Sequence, residues 1–451
     1  MASTARERPV STRRRLLLTV MCVGMFLVQL DVTIVNVALP QIAEGLETGL
    51  RGQQWVVDGY AVVLASLLLA GGTLGDRYGH KRVVLTGLGV FAAASLICGI
   101  APGVATLIGG RALQGLGAAM LLPGTLAVVT RAFPERAEQA RAVGVWAGVS
   151  ALALPAGPLI GGALVSGVGW RAVFLINLPI IALAIPLTAR LVTETSDEHP
   201  RPLDIPGILL ATATLATTVY AVIAGEPLVL IATAVTLAGF LWWERRAAEP
   251  LLPLNLLRKP AFAGANVVAA AMNLVGIGTI FVATLYLQTV QHRDAFTAGL
   301  MLLPLFVPLA ALAPVTGRLT GRYGPRPPLT CGLLIGAAGS LSMLGLRPDS
   351  GYLRLLPALL GLGIGMGLLT AAVVAAAIRS VPADRAGLAS GVNNTARQAA
   401  GALAVAGYGA IAGPPADGAA FTSGLHTIGV LGAVTWMAAL GLTWLTVSGR
   451  E

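Results

Sequence analysis

The chain runs to 451 residues, of which 56% are hydrophobic and only 11% charged; a soluble domain carries about 25% charge, so a water-soluble globule is excluded. The net charge of +10 comes from basic residues scattered between apolar runs and not gathered in one domain, which points to membrane topology and away from nucleic acid. Cys22, Cys98 and Cys331 fall in separate runs with no Cys or His at ligand spacing, so they read as packing residues and no metal site is expected.

Fourteen apolar runs are predicted as membrane-spanning helices: 16–39, 54–74, 83–102, 104–128, 141–165, 171–191, 206–224, 227–243, 262–287, 296–316, 329–346, 353–378, 386–412 and 424–447. They lack the polar/apolar alternation of a barrel strand. The basic start (Arg6, Arg8, Arg13, Arg14, Arg15) leads into a run too long for a signal peptide. It reads as a first span with a cytoplasmic N-terminus. An even number of spans returns the C-terminus to the same side. Of the 30 Lys and Arg residues, only Arg51, Arg293, Arg347 and Arg354 then fall in outer loops, as the positive-inside rule requires.

Between the second and third runs, Gly72–Leu85 packs Asp76, Arg77, His80, Lys81 and Arg82 into a loop punctuated by Gly75 and Gly79. Glycine permits a sharp turn. A degenerate copy, Gly317–Leu329, lies about 245 residues further on, with Gly321 in the place of Asp76. Two related halves are therefore expected, an arrangement common in transporters. The fold class is an all-α polytopic membrane protein. A six-helix bundle covers 1–191 and a second covers 261–451. The segment 192–260 carries two additional spans and, over 244–260, a short interfacial helix.

Several motifs recur along the chain. Leu30-Asp31-x-Thr33-Ile34-x-Asn36-Val37-Ala38-Leu39-Pro40 lies in the first run, and Gly72-x-Leu74-Gly75-Asp76-Arg77-x-Gly79-His80-Lys81 follows the second. Leu107-x-x-x-Arg111-x-x-Gln114-Gly115-x-Gly117 lies in the fourth run. Gly144, Gly157-Pro158 and Gly161-Gly162 lie in the fifth, with Ala153 in the place of one glycine. Trp170-Arg171-x-x-Phe174-x-Ile176-Asn177-x-Pro179 comes next, and Ser390-Gly391-Val392-Asn393-Asn394-Thr395-x-Arg397-Gln398 lies in the thirteenth.

In this order and at these spans, the motifs resemble those of the major facilitator superfamily, in particular its fourteen-span drug:proton antiporters. The resemblance implies the major facilitator fold: two six-helix bundles plus two additional spans, with both termini cytoplasmic. It also implies efflux of hydrophobic drugs or natural products, cationic ones included, across a bacterial cytoplasmic membrane by alternating access. No enzymatic step and no cofactor is implied, the proton gradient supplying the energy; no nucleophile constellation and no phosphate-binding loop is present in the sequence. The partners implied are a small-molecule substrate, protons and the lipid bilayer, with the chain acting as a monomer. A proton-coupled importer of the same fold and a non-transporting receptor or scaffold remain as alternatives.

Charge inside a membrane is costly and marks function. At 1.5 Å per residue, Asp31 lies roughly 22 Å above the inner edge and Arg111 roughly 10 Å below the outer one, so the two share a depth and can pair. Asp31 with Arg111, and Asp58 nearby in the second run, are the proton-coupling candidates. Either acid can instead serve structure, by locking helices or sitting at the interface. Asn36, Gln114, Asn273, Asn394 and Arg397 are candidates to line a substrate cavity, or equally to bond helix to helix. Gating is expected of Gly72, Asp76, Arg77, Gly79 and Lys81, with Asp76 or Arg77 bridging to Arg136 or Arg141, and of Gly157, Pro158, Gly161 and Gly162, where small residues at i and i+4 admit a close helix.

Overall fold

The structure is a computed structural model and describes residues 12–195, 202–252, 254–382 and 385–447. Arg6, Arg8, Arg201 and Arg450, and the side chain of Arg136, lie outside the described residues. Among the described residues every regular element is a helix, as expected where backbone groups must be satisfied without water.

The first bundle comprises α1 (Thr12–Gly45), α2 (Leu50–Tyr78), α3 (His80–Gly99), α4 (Val104–Ala132), α5 (Arg136–Gly167) and a broken sixth crossing, α6 (Ala172–Leu175) and α7 (Asn177–Leu191). A hairpin follows, α8 (Ile205–Ala224) and α9 (Pro227–Glu244), and then the single turn α10 (Leu254–Leu257). The second bundle comprises α11 (Pro260–Leu285), α12 (Ala295–Tyr323), α13 (Arg326–Ser342), α14 (Tyr352–Arg379), α15 (Ala386–Ala412) and α16 (Gly418–Thr446).

Among the described residues thirteen helices are long and apolar enough to cross a membrane, so the chain is a multi-pass membrane protein. α15 is not among the thirteen, although its 27 residues extend for about 40 Å. It carries Asn393, Asn394, Arg397 and Gln398, which depress its apolarity.

Three expectations need correction. The stretch from Gly72 to Tyr78 is helical, so the turn is Gly79 alone, at φ 96°. Gly75 is there for packing, since a Cβ on it would lie 2.3 Å from the His80 ring. Among its described residues the interfacial segment 244–260 forms, between α9 and α11, only the one turn α10, because prolines 250 and 260 withhold backbone donors. It is instead tied to the hairpin by its backbone: Leu251 N–H donates to Asp204 (3.1 Å) and Leu252 N–H to Glu244 (2.9 Å).

The halves meet tightly at the end where α1 finishes and α2 begins. There α5 is gripped on two faces. A Cβ on Gly157 or Gly161 would strike Thr33 or Ile34 of α1; one on Gly162 would lie 2.7 Å from the Phe296 Cα of α12. One on Gly299 would come 2.2 Å from the Pro158 carbonyl oxygen. Two glutamines bond across the same end, Gln54 to the carbonyls of Val405 (3.2 Å) and Ala406 (2.9 Å), and Gln288 to that of Val37 (3.0 Å). Toward the opposite end α5 and α12 part: Cβ atoms on Gly144, Gly148, Gly317 and Gly321 would meet nothing within 4 Å. The bundles are sealed at one end; toward the other the glycines of α5 and α12 no longer bear on a neighbour, while α2 and α15 still touch where a Cβ on Gly391 would lie 2.8 Å from the Leu69 side chain. α8 lies against both, touching α2 and α15, with Trp55 on Tyr220 and the Arg51 guanidinium on the Ala224 carbonyl (3.2 Å).

Candidate functional site

Asp31, Arg111 and Gln114 come together in the sealed half of the first bundle, all at most 1% exposed. One turn of α4 and the middle of α1 supply them. Arg111 Nη1 donates to Asp31 Oδ2 and to Gln114 Oε1 (2.8 Å), and Nε donates to the Val56 carbonyl (3.0 Å). The guanidinium lies 4.4 Å from the centre of the Tyr60 ring, a cation–π contact. Gln114 Nε2 donates to Ser95 (2.9 Å), which also receives Asn177 Nδ2 (3.2 Å), and lies 3.4 Å from Asp31 Oδ1. α1, α2, α3, α4 and α7 are thus joined through one buried network. Such a network is stable only when its members are satisfied.

The structure places Gln114 in this network and not on an open surface, because the charge pair beside it uses both ends of its amide. Asn36 is also buried, 4% exposed, and donates within its own helix to the Val32 carbonyl (2.9 Å). Ser95, Tyr60 and Asn177 are members that sequence reasoning missed. No spacing singles out Ser95 or Tyr60, whereas Asn177 stands in the Trp170–Pro179 motif without a role assigned to it.

Asp58 differs from Asp31 in kind. It is wholly buried, and neither carboxyl oxygen has a hydrogen-bond partner. It lies one turn along α2 from Gln54, which bonds to α15, so the acid sits at the junction between the halves.

In the second half, Arg397 Nε donates to Asn273 Oδ1 (3.2 Å), and one turn away Asn393 Nδ2 donates to Asn266 Oδ1 (3.3 Å). Both bonds bridge α15 and α11. Residues 394–399 of α15, Asn394 and Arg397 included, are all partly exposed; Ala400, Gly401 and Ala402 beyond them are buried.

At the end away from the seal, Asp76 lies 3.3 Å from His80 Nε2 and 3.7 Å from Arg131 Nη2, at the end of α4. Arg131 is a partner that sequence reasoning did not offer. Arg77 stacks on Tyr78 at 5.6 Å. Lys81 contributes its backbone, whose N–H donates to Glu194 Oε1 (3.1 Å), and Arg82 Nε lies 3.6 Å from the same carboxylate. Glu194, beyond the end of α7, caps α3 in this way and is a further residue the sequence did not reveal. Gly72 is in ordinary contact with Pro123.

The Major Facilitator Superfamily profile matches residues 21–405. The chain is 37% identical over 400 residues to the Multidrug resistance protein Stp of Mycobacterium tuberculosis (strain CDC 1551 / Oshkosh), covering 86% of this chain and 74% of that one. It is 35% identical over 420 residues to the Tetracenomycin C resistance and export protein of Streptomyces glaucescens, covering 91% and 77%. Among solved structures, a bacterial homolog to the human lysosomal transporter Spinster superposes with a TM-score of 0.69 at 18% identity, covering 97% of both chains. The structural likeness is one of fold.

Proposed function

The chain belongs to the major facilitator superfamily, and from that premise we propose that it is a fourteen-span, proton-coupled exporter of hydrophobic drugs or natural products in a bacterial cytoplasmic membrane. The fourteenth span is α15, polar because it faces the path between the halves. On this reading both termini are cytoplasmic, the sealed end is outer, and the structure is inward-open. Two functional bundles, 1–191 and 261–451, rock about the segment 192–260, and the chain acts as a monomer. The names of the relatives support the direction of transport.

The observation that carries proton coupling is Asp58. A bare carboxylate without a hydrogen bond is expensive in a dry interior. The protonated acid is the form this packing accommodates. Parting α2 from α15 would wet the site, exchange the proton with the outer solution and allow ionisation. Asp31 plays the complementary part: it neutralises Arg111 and ties the outer halves of five helices, so a change in its protonation would loosen that network. The cycle is alternating access. Outer opening loads protons; closure and inner opening release them as substrate is taken up. Asp76, with its partners on α3 and α4, holds the inner ends in one of their two arrangements.

The test separates coupling from movement. Asp58→Asn is expected to abolish efflux driven by a pH gradient while leaving substrate exchange at equal pH intact. Full gradient-driven efflux by that variant would remove Asp58 from the mechanism.

A further inference from the structure

The two halves treat their interior charge differently. Arg111 in the first bundle has its counterion, two further acceptors and an aromatic face. Arg397 in the second lies about 17 Å from the start of α15, near mid-bundle. Its Nε is held by Asn273. Among the described residues neither of its Nη groups has a hydrogen-bond partner. No Asp or Glu occurs in α11, α12, α13, α14, α15 or α16. The second bundle therefore holds an arginine without one carboxylate of its own to answer it, and Asp58 of α2, which packs on α15, makes no hydrogen bond to it.

An arginine stays charged in a protein, and inside a membrane an unanswered charge marks a pathway or a ligand. Its two Nη groups form a planar fork that matches a carboxylate or an enolate in two parallel bonds. Asn273 holds the fork by its Nε edge, which leaves the Nη edge free. Arg397 lies in the partly exposed stretch 394–399, immediately before α15 is sealed at Ala400. On the transport reading, a compound passing between the bundles would reach it there.

We infer that Arg397 is an anion anchor and that the compounds carried are hydrophobic organic acids, bound by a carboxylate or acidic hydroxyl at the Nη fork with their apolar bodies between the bundles. A cationic drug would find no partner in the second half and would meet a fixed positive charge. The inference rests on the transport reading above only in taking the space between the bundles as the substrate's path. It has an energetic consequence. Exporting an anion while importing a proton moves both charges in the same electrical sense, so an interior-negative potential drives the exchange in addition to the pH gradient.

Three probes of one shape test this: 9-anthracenecarboxylate, 9-anthracenemethanol and 9-(aminomethyl)anthracene, titrated by fluorescence into the full chain in nanodiscs. The carboxylate should bind tightest. Arg397→Gln should weaken it by about tenfold or more while changing the alcohol by less than about twofold, and Arg397→Lys should fall between. Tightest binding of the ammonium probe, no binding of the carboxylate, or equal weakening of all three probes in Arg397→Gln would overturn the inference; the last result would make Arg397 a structural tie to Asn273. A parallel flux measurement separates the two claims. Gradient-driven transport of an amine drug, indifferent to Arg397, would keep the exporter and sink the anion site. Carboxylate-selective binding without gradient-driven flux would do the reverse.

Discussion

Replacing Gly299 with alanine should drive the protein out of the state seen here. The new Cβ would sit 2.2 Å from the Pro158 carbonyl oxygen, where a carbon and an oxygen normally approach no closer than about 3.3 Å. The obstacle is backbone, in a helix itself wedged against α1 by Gly157 and Gly161, so no side chain can turn aside. α5 and α12 must separate by roughly 1 Å, and overpacking of this kind costs about 1–3 kcal/mol. That cost falls only on the state in which the sealed ends touch. The equilibrium should therefore move toward the oppositely open state by a factor of about 5–150. Spin labels at Glu47 and Ala416, exposed at the sealed ends of the two bundles, would report it in a chain with Cys331 replaced. The distance distribution should gain a longer population in Gly299→Ala. It should stay unchanged in Gly317→Ala, where a Cβ meets nothing within 4 Å. If Gly299→Ala leaves both the distribution and the melting temperature as they were, the crossing of α5 and α12 is not the closed gate.

The two acids of the first bundle should respond differently to amidation. Asp31→Asn leaves Arg111 buried without its counterion, a loss of about 3–5 kcal/mol, and should lower the melting temperature as well as transport. Asp58→Asn breaks no hydrogen bond and should change stability by less than about 1 kcal/mol while removing coupling; calorimetry in nanodiscs separates the two, and equal destabilisation would contradict the network as drawn. Gly79→Ala suffers twice, from φ 96° and from a Cβ placed 2.2 Å from Glu194 Oε1, so Glu194→Ala should rescue its stability only in part. Complete rescue would show the backbone there to be unstrained. Asp76→Asn should reduce turnover more than any single change within 317–329, where the copied loop has no acid; an equal effect from a change such as Arg322→Gln would refute that.

Much of this was legible in the residues, for physical reasons. A bilayer demands long apolar helices, so composition and run length located the elements, and the rise per residue put Asp31 and Arg111 at one depth before their ion pair was seen. Helix ends were less legible, because a hydrophobic run stops where the lipid does; α12 continues to Tyr323 well past its apolar stretch. Gly75 looked like a turn former beside Gly79 and is helical, since glycine serves close packing as readily as a turn. Partners brought in from distant segments were not legible at all. Ser95 and Tyr60 are ordinary polar residues until the fold sets them around Arg111, Asn177 was a motif position without a partner, and Gln54 and Gln288 acquire meaning only where the halves meet. Glu194 lies just beyond the last residue of α7, in a stretch to which the sequence assigned no role, yet its carboxylate caps α3.

The most direct measurement of the central claim is transport by the purified chain in proteoliposomes with an acidic lumen, using protein-free liposomes as the control. The account predicts that substrate accumulates in the acidic lumen as protons leave it, that the lumen turns alkaline on substrate addition, and that a protonophore abolishes both. Substrate leaving the acidic lumen together with protons, or accumulation that ignores the gradient, would contradict export by proton exchange.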